Sequence, residues 1–163
     1  MTATTPVPDS FDPEELETWS TLATLLEWLP AALDAQLQRD AGMSHFEFGI
    51  LFALSRTKDG TLRMSELAGY ANSTLSRLSR AAARLERRGW LRRAPDPGDG
   101  RITIAVLTEA GRDAMLAAEP GHVALVRQLV FAPLTRTQAM QLERSARRIN
   151  GTIRAKDGWS PSA

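Results

Sequence analysis

At 163 residues, with 43% hydrophobic and 24% charged side chains, the chain suits one domain with a core of its own. It contains no cysteine, which excludes disulfides, thiolate metal sites and thiol-based oxidant sensing. The net charge is only +1, yet residues 1–60 hold ten acidic groups against three basic ones, whereas residues 74–101 hold eight arginines against three acids. Such segregation prepares one segment to meet phosphate while the other faces elsewhere.

The longest apolar stretch, Leu22 to Leu33, is broken by Glu27 and Pro30, so no membrane span is expected. The amino terminus is polar, contains proline and lacks a basic leader region, so no signal peptide and a cytoplasmic location are expected. Residues 1–12 read as a flexible tail. A first helix opens near Asp12 or Pro13, because Leu16, Trp19, Leu22, Leu26, Leu29, Leu33 and Leu37 recur at helical spacing. Pro30 should kink this helix rather than end it, and Gly42 marks the stop.

Ser44 with Glu47 forms a capping-box pattern for the next helix, whose inward face is Phe46, Ile50, Leu51 and Leu54. After a turn at Lys58-Asp59-Gly60, a short helix is expected over Met64 to Tyr70 with Ser65 as its cap. Asn72 is expected to cap the following helix, which runs to about Arg88 and stops at Gly89. On that helix Leu75, Leu78, Ala82 and Leu85 share one side, and Ser73, Ser76, Arg77, Arg80, Arg84 and Arg87 share the other. The period then changes to that of strands at Trp90 to Arg93 and Ile102 to Val106, around a Pro/Gly/Asp turn from Pro95 to Gly100. Thr108 begins another helix, Pro120-Gly121 should interrupt it, and an apolar segment from Val123 to Leu134 resumes. Thr135 with Gln138 caps a last helix with a Leu142, Ala146, Ile149 and Ile153 stripe, and the end from Lys156 should fray.

Two short helices, the second with an arginine face, followed by an arginine-tipped hairpin describe a winged helix-turn-helix. That unit needs only the middle third of the chain. The surplus apolar helices therefore want a partner, and the simplest is a second copy.

The segments Met64-Ser-Glu-Leu-Ala68, Ser76-Arg77-Leu78, Arg84-Leu-Glu-Arg-Arg-Gly-Trp90, Pro95-Asp-Pro-Gly-Asp-Gly-Arg101 and Leu107-Thr-Glu-Ala-Gly-Arg112, in this order, resemble the MarR family of bacterial transcriptional regulators. The resemblance implies a mainly α fold with a small β-hairpin wing, in which the winged helix-turn-helix is flanked by amino- and carboxy-terminal dimerisation helices. It divides the chain into a tail (1–12), one domain (13–155) and a second tail (156–163). Within the domain, 13–41 and 119–155 would be dimerisation helices, 44–107 the winged helix-turn-helix and 108–118 a linking helix. It further implies a homodimer on a pseudo-palindromic operator in double-stranded DNA, acting as a repressor relieved by a small, aromatic or phenolic effector. Only seven residues, Gly69 to Leu75, separate Ala68 from Ser76, fewer than in many members, which tightens the turn.

By position, Ser73, Thr74, Ser76, Arg77 and Arg80 carry over to groove and phosphate contacts, and Arg101 to the wing tip with Asp99 orienting it. Arg84 and Arg92 join the expected phosphate contacts on charge and placement. Hydroxyls at a helix amino end suit base edges or a phosphate, and an arginine on a hairpin tip suits a narrow, electronegative minor groove. Asp96 and Asp99 also read simply as turn residues. An effector cleft is expected to draw on Trp19, Trp28, Phe46, Phe48 and Phe52, residues that core or interface packing would equally use. The only histidines, His45 and His122, lie far apart in the chain without a ligand-type spacing, and no glycine-rich phosphate loop occurs, so neither a metal, a cofactor nor an enzymatic activity is expected. The alternative to an effector-controlled regulator is an effector-independent architectural or protein-docking winged helix.

Overall fold

A computed structural model describes residues 10–156, so the expected tails lie largely outside the described residues. The first helix, α1 (Pro13–Ala41), starts where Asp12 and Glu15 exchange backbone-to-carboxylate hydrogen bonds of 2.8 and 3.1 Å, so Asp12 belongs to the cap and not to a tail. α1 runs through Pro30 and stops before Gly42, as its periodicity predicts. The chain forms two compact units, one up to Ala32 and one from Leu33 onward. In the first, the α1 stripe leaves Leu16, Trp19, Leu26 and Trp28 exposed.

The second unit holds the core, in which Leu37, Met43, Ile50, Leu51, Leu54, Leu67, Leu78, Leu85 and Leu91 are fully buried. α2 (His45–Ser55) carries the predicted capping box: the Ser44 hydroxyl accepts the Glu47 N–H at 3.1 Å and the Glu47 carboxylate accepts the Ser44 N–H at 2.9 Å. A strand that periodicity does not disclose, β1 (Thr61–Arg63), leads directly into α3 (Met64–Tyr70). Arg63, not Ser65, therefore occupies the cap position, its N–H meeting the Glu66 carboxylate at 3.3 Å.

α4 (Leu75–Arg87) starts later than predicted, because Thr74 is its cap and Asn72 sits in the turn with φ +46°. The short link explains this: Asn72 and Ser73 donate back to the Gly69 and Ala68 carbonyls at 3.1 and 3.0 Å, a reversal that needs one left-handed residue, and asparagine tolerates it. Leu75, expected on the buried side, is 52% exposed in the first turn, while Ala81 joins Leu78, Ala82 and Leu85 in the core. β2 (Leu91–Pro95) and β3 (Thr103–Leu107) form the hairpin, and the antiparallel sheet has the order β1-β3-β2, with Leu91 opposite Leu107 and Thr61 opposite Val106.

The hairpin is locked to the helix that follows it. Thr108 caps α5 (Glu109–Val126) by accepting the Gly111 N–H at 3.0 Å, and its hydroxyl donates to the Gly89 carbonyl at 2.7 Å. Gly111 packs on the backbone of Trp90 so closely that any Cβ would collide, with the Trp90 carbonyl carbon only 2.7 Å away. Pro120-Gly121 does not interrupt α5, contrary to expectation: Pro120 withholds one donor, toward the carbonyl of Leu116, and the helix runs on to Val126. The break comes later, as a π-helical turn over Arg127–Phe131. α6 (Arg136–Lys156), capped through Thr135 and Gln138, extends to Lys156 and leaves Met140, Leu142, Ile149 and Ile153 about half exposed. Among the described residues, no helix is long and apolar enough to cross a membrane.

Candidate nucleic-acid interface

α4 meets the core through alanines and leucines only, so every charged side chain it carries lies toward or in solvent. At its start, the Thr74 hydroxyl accepts the Arg77 N–H at 3.3 Å and lies 3.4 Å from the Ser76 hydroxyl, while the Ser73 hydroxyl donates to the Thr74 carbonyl at 3.2 Å. Three hydroxyls therefore cluster at the positive end of the helix dipole, where unpaired N–H groups favour an anion. The Arg77 guanidinium rests over the Phe46 ring, 4.4 Å from its centroid, which fixes its stem and leaves its outer edge to solvent.

The arginines divide into two groups. Among the described residues no ion pair engages Arg77, Arg80, Arg87 or Arg92, and all four are exposed. Arg84, Arg88 and Arg93 are instead bonded to neighbouring elements. Arg84, expected among the phosphate contacts, donates to the buried Glu47 carboxylate at 2.7 Å and so fastens α4 to α2. Arg93 folds onto Glu86 at 2.7 Å, and Arg88 stacks on Trp90 at 3.4 Å while donating to the Gly42 carbonyl at 2.6 Å. Burial works to raise the Glu47 pKa, but the Ser44 N–H, the Arg84 guanidinium and the Ser44 hydroxyl together outweigh it and leave the group below its ordinary value. None of these pairings announces itself in the sequence, since each joins residues on different elements or across a helix end.

At the wing tip Arg101 and Asp99 form a two-pronged pair, with both guanidinium contacts at 3.0 Å, while the Arg101 side chain stays 91% exposed. The Arg101 N–H also donates to Asp99 at 3.1 Å, so one carboxylate sets both the backbone and the side chain of the arginine. The Arg101 side-chain hydrogen bonds, then its backbone N–H, hold the Asp99 pKa below the ordinary value. Asp96 is a turn residue as expected, taking the Gly98 N–H at 2.7 Å, and it also pairs with Arg63 of β1 at 3.2 Å. That pair braces the base of the turn.

A cavity of about 710 Å³ opens within the second unit, lined by Phe48 and Phe52 of α2, Val123 and Val126 of α5, and Arg127 and Phe131 of the π-helical turn. Of the five aromatics expected around a cleft, Phe48 and Phe52 are thus placed here, one helical turn apart on one face of α2. Phe46 is not among its lining residues: it lies on another face of α2, beneath Arg77. Trp19 and Trp28 belong to the first unit, where both are exposed. His45, His122 and Glu119 also line the cavity, and the two histidines, read from sequence as distant, have ring centroids 5.4 Å apart.

A basic helix seated beside a three-stranded sheet, with a charged hairpin tip, defines the class: a winged helix-turn-helix protein of the nucleic-acid-binding kind. A MarR family model matches residues 41–102. Among solved structures the chain is similar to Sco3205, a MarR family transcriptional regulator from Streptomyces coelicolor in complex with DNA, at 42% identity and TM-score 0.86 over 90% of this chain and 91% of that one. It is similar to AbsC, another MarR family transcriptional regulator from the same organism, at 30% identity and TM-score 0.86 over 91% of this chain and 100% of that one. It also matches the transcriptional repressor MprA of Escherichia coli (strain K12), 29% identical over 108 residues, spanning 66% of this chain but only 61% of that protein. The chain belongs to the MarR family of DNA-binding transcriptional regulators.

Proposed function

We propose that this protein is a sequence-specific regulator that binds a pseudo-palindromic operator as a homodimer and represses transcription until a small, aromatic ligand releases it. The observation that carries the DNA-binding geometry is the exposed row of Arg77, Arg80 and Arg87 on α4, which no ion pair engages among the described residues, together with a wing arginine already aimed by Asp99. The first turn of α4, with Ser73, Thr74 and Ser76, enters the major groove. Arg77, Arg80 and Arg92 take phosphates, and Arg101 enters the adjacent minor groove. Arg84 serves this surface indirectly, by holding α4 on α2 through Glu47.

Sco3205 in its DNA complex, at 42% identity, supports the operator reading, and the name of MprA supports repression. The exposed apolar side chains of α1 and α6 support a second copy as partner, since side chains such as Trp28, at 74% exposure, leave apolar surface in water that an interface would remove. The cavity beside α5 supports a ligand. In this reading the protein acts without catalysis and works in the cytoplasm, where a bacterial-type regulator meets DNA.

The test is a salt series of DNA-binding titrations. Arg80→Ala should weaken binding to operator and random duplexes alike and lower the salt slope by about one. Unchanged binding by this variant would remove α4 as the DNA-facing helix.

A further inference from the structure

The first turn of α4 holds a side chain that neither the core nor the cationic row accounts for. Tyr70 and Leu75 are the large apolar side chains that α3 and α4 leave exposed, at 74% and 52%, and of the two Leu75 alone has no polar atom in its side chain. Rotation along the helix from Leu75 through Ser76 to Arg77 sweeps the exposed arc of that turn. Arg77 closes the arc on the side of α2, over the Phe46 ring. Leu75 closes it on the side of the wing, one helical turn before Ser79, whose hydroxyl accepts the Arg93 guanidinium of β2 at 3.5 Å.

The polar neighbours of Leu75 are partly spent on the helix itself. The Thr74 hydroxyl accepts the Arg77 N–H at 3.3 Å and lies 3.4 Å from the Ser76 hydroxyl, and the Ser73 hydroxyl donates to the Thr74 carbonyl at 3.2 Å. The surface this turn offers a ligand is therefore as much apolar as polar. Leu75 leaves carbon in water that an occupant would cover. A second copy of the chain does not suit the place, because the same helix presents Arg77, Arg80 and Arg87, and two such rows repel each other. A polyanion suits the row, and duplex DNA adds an apolar group of its own: the C5-methyl of thymine, the one methyl that base edges display in the major groove. Opposite that methyl, Leu75 buries carbon on carbon. Opposite cytosine it would take water from an amino donor and give no hydrogen bond in return. The leucine thus favours one base and penalises the other.

We infer that Leu75 is a specificity-determining residue, which packs on the C5-methyl of one thymine in each half-site and selects thymine there over cytosine. The inference rests on the major-groove reading of α4 above and deepens it by naming the base and the atom that are read. Leu75 has a duty distinct from that of the arginines, which hold phosphate whatever the sequence.

The experiment replaces thymine by deoxyuridine, which removes the methyl and keeps every hydrogen-bonding group. In the operator recovered by fragment selection, symmetry-related thymines are exchanged one pair at a time and binding is followed by fluorescence anisotropy. One such exchange should weaken binding of the parent protein by about fifteenfold, or about fourfold for each methyl no longer buried, and the others far less. Leu75→Ala should weaken binding to the thymine operator by a similar factor and bind the thymine and deoxyuridine forms equally at that pair. Its affinity for a random duplex should equal that of the parent, which shows that the fold and the phosphate contacts persist. Leu75→Met, with an apolar side chain of similar volume, should keep a preference for thymine. An operator that no deoxyuridine exchange weakens, or a methyl preference that survives in Leu75→Ala, would overturn the inference. So would Leu75→Ala with the operator affinity of the parent, a result that gives the exposed leucine to a protein partner. Each of these outcomes leaves the regulator reading standing, since the parent protein still selects an operator. Failure to select any operator refutes that reading, and this inference with it.

Discussion

Glu47 shows how one side chain is used twice: its carboxylate closes the α2 capping box through Ser44 and anchors Arg84 of α4, a residue 37 positions away. Both bonds favour the charged form, so the folded pKa is lowered. The stabilisation is fully present above the ordinary value of 4.5 and is lost as pH falls through the lowered folded value. Glu47→Gln should therefore cost about 1 kcal/mol at neutral pH, a drop of about 2–4 °C in Tm, and the gap to the parent protein should close below pH 4 in thermal melts. A gap independent of pH would show that packing, and not charge, sets the role of Glu47. At the wing, Arg101→Ala should weaken operator binding by about tenfold or more. Asp99→Asn, which keeps the turn but loosens the guanidinium, should weaken it less. Equal binding by all three proteins in anisotropy titrations would take the wing out of the interface.

At the scale of elements, the junction of wing and α5 depends on a glycine for lack of room and not for backbone freedom. Gly111 lies against the Trp90 backbone where a Cβ has no space, so Gly111→Ala should destabilise by about 1–3 kcal/mol in urea unfolding, with the slope on denaturant unchanged. A stability equal to the parent would mean that α5 can slide away from the strand at no cost. The elements written in local chemistry are those the sequence discloses: the Ser44–Glu47 and Thr135–Gln138 boxes, the Thr108 cap, the stop at Gly89, and the alternating Ile102 to Val106 strand. β1 was hidden because three residues are too few to show a period. The π-helical turn was hidden because its five residues read like any helix. Pro120 misled because one withheld backbone donor need not end a helix of 18 residues, and Asn72 misled because a good cap residue is also a good left-handed turn residue. The exposed row of Arg77 and Arg80 was legible from helical projection. The withdrawal of Arg84 onto Glu47, and the meeting of His45 with His122, depend on tertiary neighbours that no local pattern records.

For the whole molecule, α1 and α6 supply the argument for assembly. Trp28 is 74% exposed, and Leu16 and Leu26 on α1 and Met140 and Ile149 on α6 are each near half exposed, a loading of apolar surface that a stable dimer removes from water. Sedimentation equilibrium should return a dimer, and Leu26→Glu should shift it toward monomer, because a charge buried without a partner opposes association. A monomer at all concentrations for the parent chain would leave those side chains unexplained. In such a dimer the two α4 helices would meet half-sites about one helical turn apart, some 34 Å on B-form DNA. The central claim, a sequence-specific dimeric regulator reading DNA with α4 and the wing, is tested most directly by selecting genomic fragments with the purified protein at about 0.15 M salt and sequencing what is retained. The account predicts enrichment of a few promoter fragments that share an inverted repeat with half-sites one turn apart. Retention of all fragments alike, or of none, would contradict it.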